Sequence, residues 1–132
     1  MKNVTQLVTK DESFLASQYP ISDNLQHALQ CTVWIDEHGY IQDSFGQIEE
    51  MFGYWFEELK DQHISLLLPD LAHAELLSQN RINSILLFRC HCSIPFRGLN
   101  RNGHEHNYIV FMNLLSNQLG HRFTMTIRDH VP

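Results

Sequence analysis

Asp36-Glu37-His38-Gly39 lies between two runs of strand formers, Cys31-Thr32-Val33-Trp34-Ile35 and Tyr40-Ile41-Gln42-Asp43. This stretch decides the fold. A polar tetrapeptide ending in glycine, flanked by apolar runs, predicts a hairpin: strand Cys31–Asp36, turn at Gly39, strand Tyr40–Asp43. Ser44 with Gln47 fits a capping box, in which hydroxyl and amide satisfy each other's orphan backbone donors. The helix it opens carries Phe45, Ile48 and Phe52 on one stripe, and Gly53 stops it. Trp55, Phe56 and Leu59 start a second short helix, and Leu66-Leu67-Leu68-Pro69 closes the segment. Glu49, Glu50, Glu57, Glu58 and Asp61 fall off the apolar stripe and read as a solvated face, not an acid–base pair.

Downstream, Leu71, Ala74, Leu76 and Leu77 predict a helix over 71–82, with His73 beside them. Ile85–Arg97 reads as a long strand, with Phe88, Cys90, Cys92, Ile94 and Phe96 on one face. Asn102-Gly103 centres a polar turn. Strands then span His106–Leu115 and His121–Asp129, joined by a loop at Ser116–Gly120. Tyr108, Val110, Met112 and Leu114 share one face of the first of these, but Ile109 and Phe111 make its other face apolar too. Two strands, short helices, then a three-stranded meander define an α+β domain: a five-stranded antiparallel sheet with helices on one face.

Upstream, Val4, Leu7, Val8, Phe14 and Leu15 suggest an amphipathic arm over residues 1–21. It has too little apolar surface to fold alone, so it docks on the domain, 22–130, or on a second copy. Ser22 would cap a short helix over Asp23–Leu29. At 132 residues the chain is one domain by length. Its net charge of -6 gives no electrostatic footprint for nucleic acid. No apolar run reaches the ~20 residues of a membrane span, and no signal peptide opens the chain. Three cysteines in apolar surroundings suit reduced core thiols. The expected location is the cytoplasm. The chain stops straight after the last strand, as a piece cut from a longer protein would.

The order of elements and their local words resemble the PAS domain family. The resemblance rests on Ile35-Asp36-Glu37-His38-Gly39-Tyr40-Ile41, Glu50-Met51-Phe52-Gly53-Tyr54, and Glu57-Glu58-Leu59-Lys60-Asp61-Gln62 with Leu67-Leu68-Pro69. Arg97-Gly98-Leu99-Asn100-Arg101-Asn102-Gly103-His104-Glu105 and Phe123-Thr124-Met125-Thr126-Ile127-Arg128-Asp129 complete it, over roughly residues 25–130. It implies sheet order 2-1-5-4-3, a pocket between sheet and helices, and a strand-terminal Asp, here Asp129, that couples the sheet to the next part of the protein. It further implies a sensory or regulatory module of signal transduction, two-component or cyclic-dinucleotide, with no enzymatic activity of its own. Its implied partners are a second copy and a C-terminal effector of kinase or cyclase type. Phe45 stands near the position where many such domains carry Asn, and a bulky side chain there would occupy part of the pocket.

The candidate pocket residues are His73, Trp34, Phe45, Ile48, Phe52, Trp55 and Leu77. Three readings of that pocket stand side by side. In the first it holds haem: His73 resembles the axial histidine of oxygen-sensing PAS domains, and a neutral imidazole on a helix facing an apolar pocket suits iron. In the second it holds non-covalent flavin stacked on Trp34 or Trp55; no cysteine lies between Cys31 and Cys90 to support covalent flavin chemistry. In the third it holds nothing, and the module only dimerises. Cys90-His91-Cys92 looks like a metal word, but on a strand the two thiols point one way and the imidazole the other. His104-Glu105-His106 lacks a third ligand nearby. No nucleophile or phosphate-loop motif is present.

Overall fold

The computed structural model describes residues 28–130. β1 (Gln30–Asp36) alternates as its composition demands: Cys31, Val33 and Ile35 are buried, while Thr32 and Trp34 face the other way. Asp36 builds the turn at its end. Its Oδ1 accepts from the backbone N–H of His38 and of Tyr40, both at 2.9 Å. Gly39 takes φ +93°, open to glycine at no steric cost. β2 (Ile41–Gly46) pairs antiparallel with β1 through a bulge at the Trp34/Ile35 step.

The capping box expected at Ser44 and Gln47 does not form. Ser44 lies in β2 opposite Val33, and Phe45 lies opposite Thr32. Continued ladder pairing satisfies backbone groups more completely than a cap would. α1 (Ile48–Phe52) therefore begins after Gln47, whose side-chain oxygen accepts from the Gln30 N–H at 3.1 Å. Gly53 ends it in the left-handed region, its N–H donating to the Glu49 carbonyl at 2.7 Å. α2 (Phe56–Leu59) comes next, with the Glu58 carboxylate accepting from the Trp55 N–H at 2.9 Å. Two 3-10 turns, Ile64–Leu66 and Pro69–Leu71, carry Ile64, Leu67, Leu68 and Leu71 inward.

Two expectations fail in the next stretch. The helix over 71–82 is absent. The chain instead leaves the second 3-10 turn and forms a small hairpin, β3 (Leu77–Ser78) with β4 (Arg81–Ile82). Gln79 and Asn80 turn it, at φ +54° and +63°. Successive positive φ values belong to a tight hairpin turn, which Asn favours, and they are incompatible with a right-handed helix. The long strand over 85–97 is also absent. α3 (Ser84–His91) takes its first half, capped by Asn83, whose Oδ1 accepts from the Ile85 N–H at 2.8 Å. Leu86 and Cys90, four residues apart, are the buried pair that helical spacing selects. Only β5 (Phe96–Leu99) is strand.

β6 (Glu105–Asn117) and β7 (Gly120–Asp129) form a ladder that runs to the Asn117–Gly120 pair, so the expected loop shrinks to Gln118 and Leu119. The main sheet has strand order β2-β1-β7-β6-β5, all antiparallel; counting its own five strands alone, that is 2-1-5-4-3. Val33, Ile35, Phe96, Tyr108, Val110, Phe123, Met125 and Ile127 line its inner face, under the helices. Burying an aliphatic or aromatic side chain of this size contributes about 1.5–3 kcal/mol each. The arm and the capped helix expected upstream fall on residues 1–27, outside those described, except for Ala28 and Leu29, which are not helical. Among the described residues no helix is long and apolar enough to cross a membrane.

Candidate functional site

The space between sheet and helices, where the resemblance implies a pocket, is filled by the chain itself. Phe52, Phe96, Phe123, Leu68 and Met125 are wholly buried there, and no buried polar side-chain atom among the described residues lacks a partner. Of the seven expected pocket residues, Ile48 and Phe52 are in this core, and Leu77 is half-buried against it. The other four are elsewhere. Trp34 and Phe45 lie on the opposite face of the sheet, because the β1–β2 register pairs Thr32 with Phe45 and Trp34 with Asp43. Trp55 caps α2 from outside at 63% exposure. His73 is exposed on a turn, since the helix meant to aim it inward does not exist.

These residues do not fit haem. No described histidine is buried, and the inner face offers aromatic and aliphatic side chains in contact where a macrocycle would lie. A stacked flavin fares no better, with both tryptophans outside the core. Cys90 is buried and Cys92 exposed, so on a helix the two thiols part company, contrary to the strand-based expectation. Among the described residues no group of three His, Cys, Asp or Glu is placed to hold a metal ion.

What the fold does assemble is a set of ties between layers. Tyr108 on β6 donates its hydroxyl to the Met51 carbonyl at the end of α1, 3.3 Å away, and its ring lies 5.0 Å from that of Phe52. Burial, aided by the charges of Asp129 and Cys31, pushes the phenol up to about 12. Burial alone pushes the Cys31 thiol up to about 12. Asp129, at the end of β7, reaches across three strands. Its backbone N–H donates to the Leu29 carbonyl at 3.0 Å, its Oδ2 accepts from the Leu29 N–H at 3.4 Å, and its Oδ1 faces His106 Nε2 at 3.4 Å. The last residue of the sheet is thereby fastened to the entry of the first strand and to β6.

A second tie joins the second 3-10 turn, α3, β5 and β6. The Asp70 carboxylate accepts from Arg89 Nη2 at 3.2 Å and from the Arg97 N–H at 3.3 Å. Arg89 also donates to the Pro95 carbonyl and sits 3.8 Å above the Phe96 ring. Arg97 continues to Glu105 at 3.1 Å. A third tie pairs Arg101 with Glu58 and sets Arg101 over the Tyr54 ring. The Trp55 N–H and then Arg101 hold the Glu58 carboxyl below its usual range. Sequence reasoning missed Asp70 and Arg89 because their partners lie far along the chain. The lone acid inside an apolar run, Leu68-Pro69-Asp70-Leu71, was the available signal.

The outer face of the sheet sets exposed aromatic side chains among threonines and charged residues. Phe45 is 55% and Phe111 44% exposed, and they close the two ends of one cross-strand row through Thr32 and Thr126. Arg122 lies over the Trp34 ring in the next part of the face.

Several solved structures share this architecture. A PAS domain from a two-component sensor histidine kinase superposes with a TM-score of 0.59 at 12% identity, covering 96% of this chain and 99% of its own. The PAS domain of a Desulfitobacterium hafniense protein gives 0.58 at 18%, over 80% of this chain and 97% of its own. That of nitrogen regulation protein NR(II) from Vibrio parahaemolyticus gives 0.53 at 18%, over 85% and 99%. The chain has the PAS fold. No protein-family model matches it, and no curated protein matches it in sequence.

Proposed function

We propose that this chain is a sensory or regulatory module of a signal-transduction protein, one that works by pairing with a second copy and not by holding a cofactor. The observation that carries the reading is the contrast between the two faces of its sheet. The inner face is closed over by Phe52, Phe96 and Phe123, while the outer face leaves Phe45 and Phe111 exposed. Large aromatic side chains left exposed on one sheet face support an interaction surface there. A second copy suits it because an isologous contact lets one patch serve both partners. The similar structures named as parts of sensor histidine kinases support a kinase-type effector beyond Asp129, and the fastening of Asp129 to Leu29 and His106 supports that residue as the point of coupling. A signal in such a module is a shift between two placements of the paired copies.

The test is the mass of the full chain in solution by light scattering. A dimer that becomes a monomer in Phe111→Arg supports the reading; a wild-type monomer at all concentrations sinks it. The haem alternative has its own readout. Protein expressed with added haem is expected to show no Soret band, and a band lost in His73→Ala would restore that alternative.

A further inference from the structure

Titratable side chains gather where the last strand leaves the sheet. One cleft is lined by Glu50 of α1 with His104, Glu105, His106 and Asp129, and the cleft next to it adds His130. Glu105 is engaged by Arg97. Among the described residues no Lys or Arg forms an ion pair with Glu50 or Asp129, so the cations this cluster can gain are its imidazoles. An imidazole ordinarily takes up its proton near pH ~6.5, so mild acid changes the charge of the cluster while its carboxylates stay ionised.

Among these imidazoles, His106 is the one with a carboxylate in reach. Its Nε2 lies 3.4 Å from Asp129 Oδ1, with the imidazole 55% exposed and the carboxylate only 17%. The other His–acid contact among the described residues, His38 with Glu37, joins neighbours in the chain and can fasten nothing else. His106 and Asp129 stand on different strands, β6 and β7. The remaining surroundings of the imidazole are the edge of the Tyr108 ring at 5.0 Å, Glu105 beside it in the chain, and Glu50 and His104 around the cleft. On β5 its ladder partner is Gly98, and Arg97 next to it is taken up by Asp70 and Glu105. A neutral ring 3.4 Å from the carboxylate adds little; an imidazolium there makes a charged pair with an acid that is largely shielded from water. With Oδ1 held in that way, Oδ2 is kept on the Leu29 N–H, which it accepts at 3.4 Å. We propose that His106 and Asp129 form a proton-operated latch at the exit of the sheet: the imidazolium ties the Asp129 carboxylate to β6 as well as to the entry of β1, and the neutral ring leaves it on Leu29 alone. The latch rests on Asp129 being the point of coupling and supplies its control, stiffening the exit in mild acid and loosening it at neutral pH.

The experiment measures amide hydrogen exchange by NMR in the full chain at about pH 7.5 and about pH 5.5, as protection factors, so that the intrinsic pH dependence of exchange cancels. The reporters are the N–H groups of Leu29 and Asp129, which close the tie, with Met125 in the middle of β7 as reference. Protection of the two reporters is expected to rise about two- to fivefold in acid, the range an ion pair with one exposed partner supplies, while Met125 stays constant. His106→Gln, which cannot titrate, should show the same protection at both values. His106→Lys, charged at both, should be protected at pH 7.5 as wild type is at about pH 5.5. Equal wild-type protection at the two values overturns the proposal, and so does an equal rise at Met125, which would be a change in global stability. A rise that persists in His106→Gln overturns His106 as the switch, and a His106→Lys chain no better protected than wild type at neutral pH overturns charge as the cause. Light scattering at both pH values reads pairing separately: a chain that stays monomeric defeats the pairing of copies, whereas the latch lies within one chain and is judged by exchange alone.

Discussion

The ring of Tyr108 on β6 occupies the space that a side chain at position 98 on β5 would need. A Cβ on Gly98 would overlap the ring edge at Cδ2 and Cε2. The same tyrosine reaches the Met51 carbonyl at the far end of α1. One residue thus sets how closely the last-but-two strand approaches and where the helical layer sits above it.

Gly98→Ala should destabilise the domain by about 1–3 kcal/mol, the usual cost of inserting a methyl group into a packed interior. Thermal unfolding measures it. In a Tyr108→Ala background the same change should cost far less, because the clash partner is gone. Equal costs in the two backgrounds would show that the ring is not what Gly98 accommodates.

Tyr108 and Cys31 make the domain sensitive to alkali. Both are pushed up to about 12 in the folded state, from ordinary values of 10.0 and 9.0. Their neutral forms stabilise the fold fully below the unfolded values, and that contribution disappears as pH rises through the folded ones. Stability should therefore fall from about pH 9 upward. Tyr108→Phe, which cannot ionise, should remove about 1.4 kcal/mol of the loss between pH 8 and 11, read from urea midpoints at the two values. An unchanged pH slope in that variant would place the alkaline loss elsewhere.

Glu58 works at the other end of the scale. The Trp55 N–H and Arg101 lower its pKa, so its charged form stabilises the fold above the ordinary carboxylate range and that contribution is lost as pH falls through the depressed folded value. Glu58→Gln should flatten the acid limb of the stability curve by lowering stability at neutral pH while leaving it close to wild type in strong acid. An acid limb identical to wild type would remove Glu58 from that account.

Gln79 gives a prediction whose sign decides between two folds of the same segment. It sits at φ +54° in the β3–β4 turn, where a side chain is strained and glycine is not. Gln79→Gly should stabilise by about 0.5–1 kcal/mol. Were residues 71–82 the helix that their leucines suggest, the same change would destabilise by about 1 kcal/mol. A rise or fall in unfolding temperature settles it.

Asp70 ties four elements through two arginines. Asp70→Asn should cost about 1–2 kcal/mol, above the figure for an isolated surface pair, since one of its partners is a backbone N–H and Arg89 also covers Phe96. Asp70→Asn combined with Arg89→Ala should cost less than the sum if the two act as one unit, which a double-mutant cycle measures.

The strands that proved legible in sequence are those whose period-two pattern is enforced by a core on one side: Cys31–Asp36, His106–Leu115 and His121–Asp129. The turn at Gly39 and the stop at Gly53 were legible for a local reason, since positive φ at those places is open to glycine at no cost. Residues 71–97 were not legible. Leu71, Ala74 and Leu77 satisfy a helical spacing, and Phe88 to Phe96 satisfy a strand spacing, yet the chain makes a hairpin and then a helix. Short apolar runs support either period, and contacts remote in sequence choose between them: Leu76 and Leu86 with the core, and Arg89 with Asp70. The candidate site divides the same way. Sequence placed Ile48 and Phe52 on the inner stripe, because a stripe is a local property. Only the register of β1 with β2 put Trp34 and Phe45 on the outer face, and only the absence of a helix left His73 in water. By itself the sequence determined an antiparallel α+β domain and most of its strands; tertiary packing decided that its interior is full and its apolar surplus lies outside, because which face a strand buries is fixed by its neighbours.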